Sequence, residues 1–178
     1  MTAYGPINEA SQYGMFTVTA LEGFKLDLSL QGTAATGDAE AAFAGFTTIQ
    51  YSTDGTNWTT YTWNGTSGDQ PTVPNSGKVY VRVTITSEAD NTYEGAEGFA
   101  LKAAYTTHTA RYATGETTIV DDGTGTKYGP NVHPTNGPNT STASLDDDRP
   151  ITVTGGSYNE NSPRAVFTVN THSGRVLT

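Results

Sequence analysis

The carboxylates of this chain gather where its alternating, strand-like segments begin or stop. Asp121 and Asp122 follow the run "TTIV", while Asp146, Asp147 and Asp148 precede "ITVT". Glu94 and Glu97 open a strand in "YEGAEGF", Glu9 opens the phrase "NEAS", and Glu160 opens "NENS". Taken singly, each is an ordinary turn or surface charge. Strand ends of a sandwich cluster at its poles, so acids distant in sequence converge there and repel one another unless a cation lies between them. A hard divalent ion with a flexible shell of six to eight oxygens suits such a place. Calcium suits it better than magnesium, because carboxylates and carbonyls of irregular loops can both contribute.

Other chemistries find less support. The three histidines, His108, His133 and His172, have no recognisable nucleophile motif beside them. "GTGT" from Gly123 lacks the Lys-Ser/Thr and the following helix of a phosphate loop and reads as a turn. No enzymatic activity is expected. The chain has no cysteine, which excludes disulfides and thiolate metal sites. A formal charge of −9 argues against nucleic acid and anionic membranes as partners, since both require a basic surface. No apolar stretch approaches the roughly 20 residues that span a bilayer. The N-terminus lacks the basic start and apolar core of a signal peptide, and Met1 is expected to lie within a longer chain.

The elements that must position the acids are strands. Thr, Tyr and Val favour pleated structure, and frequent Gly, Asn, Asp and Pro supply turns. Alternating segments fall at 15–19, 24–30, 47–51, 58–63, 78–86, 98–105 and 117–120, which fits an all-β sandwich better than a sheet with helices. "KVYVRVTIT" places Val79, Val81, Val83 and Ile85 on one face and predicts a central strand. Asp54-Gly55 predicts a hairpin turn. "GDAEAAFAGF", 37–46, is the one stretch with helical character, with Asp38 as its cap. Tyr51, Trp58, Tyr61, Trp63 and Tyr105 offer either a stacking surface for a sugar or peptide or a cover for the core edge; for Trp58 the alternation favours the cover. "AYTTHTARY" holds His108 and Arg111 near two tyrosines, either as an anion-recognising loop or, more simply, as a polar hairpin.

A phrase recurs. "NEASQYGMFTV" at 8–18 and "NENSPRAVFTV" at 159–169 align with Asn8 on Asn159, Glu9 on Glu160 and Phe16 on Phe167, a constant offset of 151. Self-similarity at a fixed offset marks repeated modules. The reading is a β-sandwich over 1–123, a Pro/Gly/Asn-rich linker over 124–145, and the opening strands of a second, incomplete or split module over 146–178.

The ordered set "INEAS", "FTVT", "YSTDGTNWTTYT", "VYVRVTIT", "YEGAEGFALKA", "TGETTIVDDGTGTKYGPN" and "DDDRPITV" resembles the extender repeats of giant bacterial RTX adhesins, related to Calx-beta and other immunoglobulin-like sandwiches. The likeness covers 6–128 and resumes over 146–169. It implies an immunoglobulin-like β-sandwich braced by Ca2+ at its poles, in a surface fibre that supports cell adhesion and biofilm formation. Glu9, Glu94, Glu97, Asp121 and Asp122 are the implied ligands of the first module, and Asp146, Asp148 and Glu160 those of the next. The implied partners are neighbouring modules of the same chain, the implied state a monomer, and the implied location the outside of a bacterial cell. The linker is longer than such repeats usually carry. The alternative is a ligand-binding module of the same adhesin, in which calcium contacts a sugar or a peptide carboxylate.

Overall fold

The computed structural model describes residues 1–32, 48–85, 93–130 and 145–171. The segment 37–46, with Asp38, lies outside the described residues, as do His133, His172 and most of the expected linker. Among the described residues there is no helix. Nine strands among the described residues build the main body: β1 (Thr2–Tyr4), β2 (Ile7–Asn8), β3 (Tyr13–Thr19), β4 (Leu26–Gly32), β5 (Ile49–Ser52), β6 (Thr59–Thr60), β7 (Lys78–Thr84), β8 (Ala96–Tyr105) and β9 (His108–Val120). One sheet has the order β1-β3-β7-β5-β6 and the other β2-β9-β8-β4.

Period-two alternation determines what lies between the sheets. Val79, Val81 and Val83 of β7 are fully buried, and Phe16 of β3 meets Phe99 of β8 edge-on, with ring centroids 5.7 Å apart. Leu26 and Leu28 of β4, Leu101 of β8 and Ile119 of β9 complete the opposite wall. Each such side chain contributes about 1.5–3 kcal/mol by leaving water. β7 is central, as its pattern predicts, lying between β3 and β5. Its second face is also covered, because Arg82, 8% exposed, lies between the rings of Tyr13 and Trp58, 4.2 and 4.3 Å from their centroids.

The turn at Asp54 forms as its sequence predicts. Asp54 Oδ1 accepts the amides of Thr56 and Asn57, each at 2.8 Å, and Gly55 takes φ +80. The hairpin it closes is shorter than the run 58–63 suggested, with only Thr59–Thr60 in the ladder. Beyond it Tyr61 turns inward, donating its hydroxyl to Asp27 at 2.6 Å and accepting the Leu28 amide at 3.1 Å.

The module continues past residue 123, where the sequence reading drew its boundary. Thr126 is held by two backbone bonds to the β2 stretch, its carbonyl accepting the Asn8 amide at 3.1 Å and its amide donating to the Pro6 carbonyl at 3.0 Å. Tyr128 is buried in the core, and Arg82 Nη1 donates to the Pro130 carbonyl at 2.9 Å. A Pro- and Gly-rich composition suggested a linker here, but one aromatic anchor and paired backbone groups suffice to dock these residues.

The second copy forms a hairpin of β10 (Thr152–Gly155) and β11 (Phe167–Asn170), with every strand residue exposed. Its local structure repeats that of the first copy. Ser11 donates its amide to the Asn8 carbonyl, Ala10 to Asn8 Oδ1, and Ser11 Oγ to the Tyr13 carbonyl. At the same offset, Ser162 donates to the Asn159 carbonyl, Asn161 to Asn159 Oδ1, and Ser162 Oγ to the Arg164 carbonyl. β10 pairs with β11 antiparallel, as β1 pairs with β3.

Candidate metal centre

Three chain segments meet at one pole of the sandwich. β2 runs parallel to the end of β9, with Ile7 opposite Ile119 and Asn8 opposite Val120, so Glu9 and Asp121 leave the sheet side by side. The Glu9 amide donates to the Val120 carbonyl at 3.1 Å, which holds that exit in place. The third segment is 145–148, brought back from far along the sequence.

Asn8 performs the docking. Its fully buried side chain donates from Nδ2 to the carbonyls of Thr124 at 2.9 Å and Asp146 at 3.0 Å. Its Oδ1 accepts the amides of Asp146 at 3.0 Å and Ala10 at 3.2 Å. Four bonds from one amide thus tie the exit of β2, the turn after β9 and the acidic segment together. Gly125 makes the approach feasible: its φ is +85, and a Cβ there would come within 2.6 Å of the Asn8 amide nitrogen.

Glu9, Asp121 and Asp148 each bring a carboxylate oxygen within 4.8 Å of the other two. Glu9 and Asp121 are buried, 3% and 2% exposed, and Asp148 is half-buried. Asp121 Oδ1 accepts the Asp148 amide at 2.9 Å and Oδ2 the Glu94 amide at 3.2 Å. Burial pushes the Asp121 carboxyl up from its ordinary value. Those two amides oppose the shift, and the charges of Asp148 and Asp146 add to it. Water is largely excluded: Glu9 Oε1 and Asp148 Oδ2 are oxygens cut off from solvent.

The remaining acids have other places. Asp148 stands with Glu9 and Asp121 at the first module's pole, not with Glu160, which is exposed on the hairpin. Asp146 contributes its backbone to Asn8 at the same pole. Asp147 is engaged by Arg149 through two bonds of 2.8 Å. Asp122 Oδ1 accepts the Thr124 amide at 3.0 Å and its hydroxyl. Glu94 is exposed and offers its backbone amide, and Glu97 is buried on β8 outside the group of three. Sequence reasoning missed Asn8, although its recurrence as Asn159 beside Glu160 was an available signal.

The donor set fits a hard cation. It comprises three carboxylates and no nitrogen or sulfur ligand among the described residues. A cation there would replace mutual repulsion among the acids with attraction to all three.

Four of the five aromatic candidates, all but Trp63, pack as structural residues. Tyr51, Trp58, Tyr61 and Tyr105 pack against the core. Trp58 covers Arg82, and Tyr105 lies 4.9 Å from the Phe24 ring and accepts the Leu21 amide at 3.1 Å. No family model matches the chain, and no curated protein matches its sequence.

Proposed function

We propose that this chain is a calcium-braced structural region of a bacterial surface adhesin, made of immunoglobulin-like modules in series and working outside the cell in adhesion and biofilm formation. The observation that carries this reading is the convergence of Glu9, Asp121 and Asp148 at one pole, with Asp148 supplied by the segment that leads into the second copy. These three residues would hold the ion. When bound, it supplies charge neutralisation between the end of one module and the lead-in to the next. Asn8 positions the lead-in, Asp121 anchors the backbone of Asp148, and burial keeps competing water out. The repeated hydrogen bonds around Asn8 and Asn159 support the serial arrangement.

Such a site couples ion binding to order. The ion binds the assembled pole, so it stabilises the folded chain by mass action, about 2.7 kcal/mol at a hundredfold excess over its dissociation constant. Extracellular modules commonly have dissociation constants of about 0.1–1 mM, a range filled outside cells and empty in the cytosol. Calorimetric titration of calcium into chelator-stripped protein, with melts before and after, tests the reading. Saturable binding with a rise in Tm is expected; absence of binding at about 10 mM calcium, a large excess over that range, would remove its physical basis.

A further inference from the structure

At the pole opposite the carboxylates, the two sheets part around a cleft of about 400 Å3. Residues 18–20 at the end of β3 form one side and Ala110, Arg111 and Ala113 of β9 the other, with Leu26 of β4 also lining the cleft. The β8–β9 ladder is irregular here: Tyr105 pairs with His108, but Ala104 pairs with Tyr112. Thr109, Ala110 and Arg111 therefore have no residue of β8 opposite them. Bulges of this kind re-aim side chains at the rims of sheets. Arg111 is exposed, lines the cleft, and has no ion-pair partner among the described residues. Lys25 and Lys102 share this end of the sandwich with Glu22 and Asp27, so the cation at the cleft itself is Arg111.

The ladder of β1 and β3 points into this cleft. Thr2 pairs with Thr17, so in this register Met1 faces Val18 and the second residue ahead of Met1 would face Ala20. The second copy shows what occupies that place. Its ladder is one residue out of step with the 151 offset: Val153, which aligns with Thr2, pairs with Val169, the counterpart of Val18, so Ile151, two residues ahead of Val153, stands opposite the counterpart of Ala20. Ahead of Ile151 come Asp146, Asp147 and Asp148.

We propose that the cleft is the docking slot for an extended lead-in segment of the kind Asp146–Ile151, which continues β1 antiparallel to residues 18–20. The isoleucine enters beside Val18 and Leu26, where Ala20, Ala103, Ala110 and Ala113 leave room for a branched side chain. The aspartates approach Arg111. The acidic lead-in would then have two hosts, the carboxylate pole behind it through the cation and the cleft ahead of it through Arg111. The inference rests on the serial-module reading but not on the cation.

The test is an extension of the whole chain by residues 146–152, Asp-Asp-Asp-Arg-Pro-Ile-Thr, placed directly before Met1, which sets the isoleucine two residues ahead of it. Melting is followed in chelator, so that the result is independent of the metal centre. Burying an isoleucine in a chain of this size is expected to raise Tm by roughly 5 °C, and the same extension with aspartate in place of isoleucine is expected to give no rise. Arg111→Gln should diminish the rise at low ionic strength. No rise, or an equal rise with the aspartate control, overturns the slot. A rise untouched by Arg111→Gln overturns its acidic half. A rise given by the free heptapeptide but not by the extension overturns the in-line arrangement in favour of a separate peptide ligand.

Discussion

Replacing Asp121 with asparagine separates the electrostatics of the carboxylate pole from its hydrogen bonding. In the absence of a divalent ion, Asp121 faces Glu9 and Asp148 with oxygens no more than 4.8 Å apart. At an effective dielectric near 20, each ionised pair at that distance costs about 3 kcal/mol, part of which is relieved because burial already favours the protonated form of Asp121. Asparagine removes this repulsion. It also has a single acceptor oxygen for two amides, those of Glu94 and Asp148, so one bond worth about 1–3 kcal/mol is lost. The two effects oppose each other, and in chelator the variant should melt within about 2 kcal/mol of the parent. Calcium changes the comparison. At a hundredfold excess the parent gains about 2.7 kcal/mol, or roughly 8 °C for a chain of this size. The variant, with one anionic ligand fewer, should gain less than about a quarter of that rise. The quantity to measure is the calcium-induced rise in Tm for each protein, which cancels the unequal baselines. An undiminished rise in Asp121→Asn would refute the assignment of this carboxylate to the ion, whatever the variant does in chelator.

Further outcomes follow from individual contacts. Truncation after Pro150 should leave both Tm and calcium binding of the first module unchanged, because β10 and β11 are fully exposed, whereas truncation after Pro130 should abolish the calcium response by removing Asp148; calorimetry on both chains checks this. Arg82→Lys should cost about 2 kcal/mol in denaturant unfolding and alter Trp58 fluorescence, since lysine cannot stack between Tyr13 and Trp58 while bonding Gln50 and the Pro130 carbonyl; an unchanged midpoint would argue against that clamp. Tyr61→Phe should lose about 1–2 kcal/mol, equally with and without calcium, by leaving Asp27 and the Leu28 amide without the hydroxyl; a calcium-dependent loss would contradict a purely structural role. The amide and side chain of Asn57, the Thr56 amide and the Ser52 hydroxyl hold Asp54 well below the usual carboxylate range. Its stabilising effect is therefore complete above the ordinary carboxylate pKa near 4 and fades as pH falls below it, so Asp54→Asn should flatten the acid limb of a Tm against pH curve; parallel curves would refute this.

Much of the scaffold was legible along the chain because its signals are local. Alternation in 78–84 set a central strand, and all seven expected strand regions exist, with shifted ends. β1 and β2 escaped notice because three and two residues are too few to show a period. The first half of β9 escaped because its residues are exposed on both faces, which leaves no apolar alternation to read. The repeat was visible as two phrases at a constant offset, and the three hydrogen bonds shared at Asn8 and Asn159 give it a structural basis.

The grouping of acids was a different matter. That carboxylates crowd the strand ends is a property of the sequence, and so is the expectation of a hard cation. Which of them meet depends on a parallel pairing of β2 with β9 and on a return of 145–148 to the first module, contacts separated by more than a hundred residues. Of the eight acids proposed from sequence, the tertiary structure brings the side chains of Glu9, Asp121 and Asp148 together, turns Asp122 onto Thr124, and leaves Glu94 and Glu160 exposed. The physical reason is range. Strand propensity and turn chemistry act over two to four residues and can be read in order, whereas an ion site is assembled by long-range backbone register and by one buried asparagine.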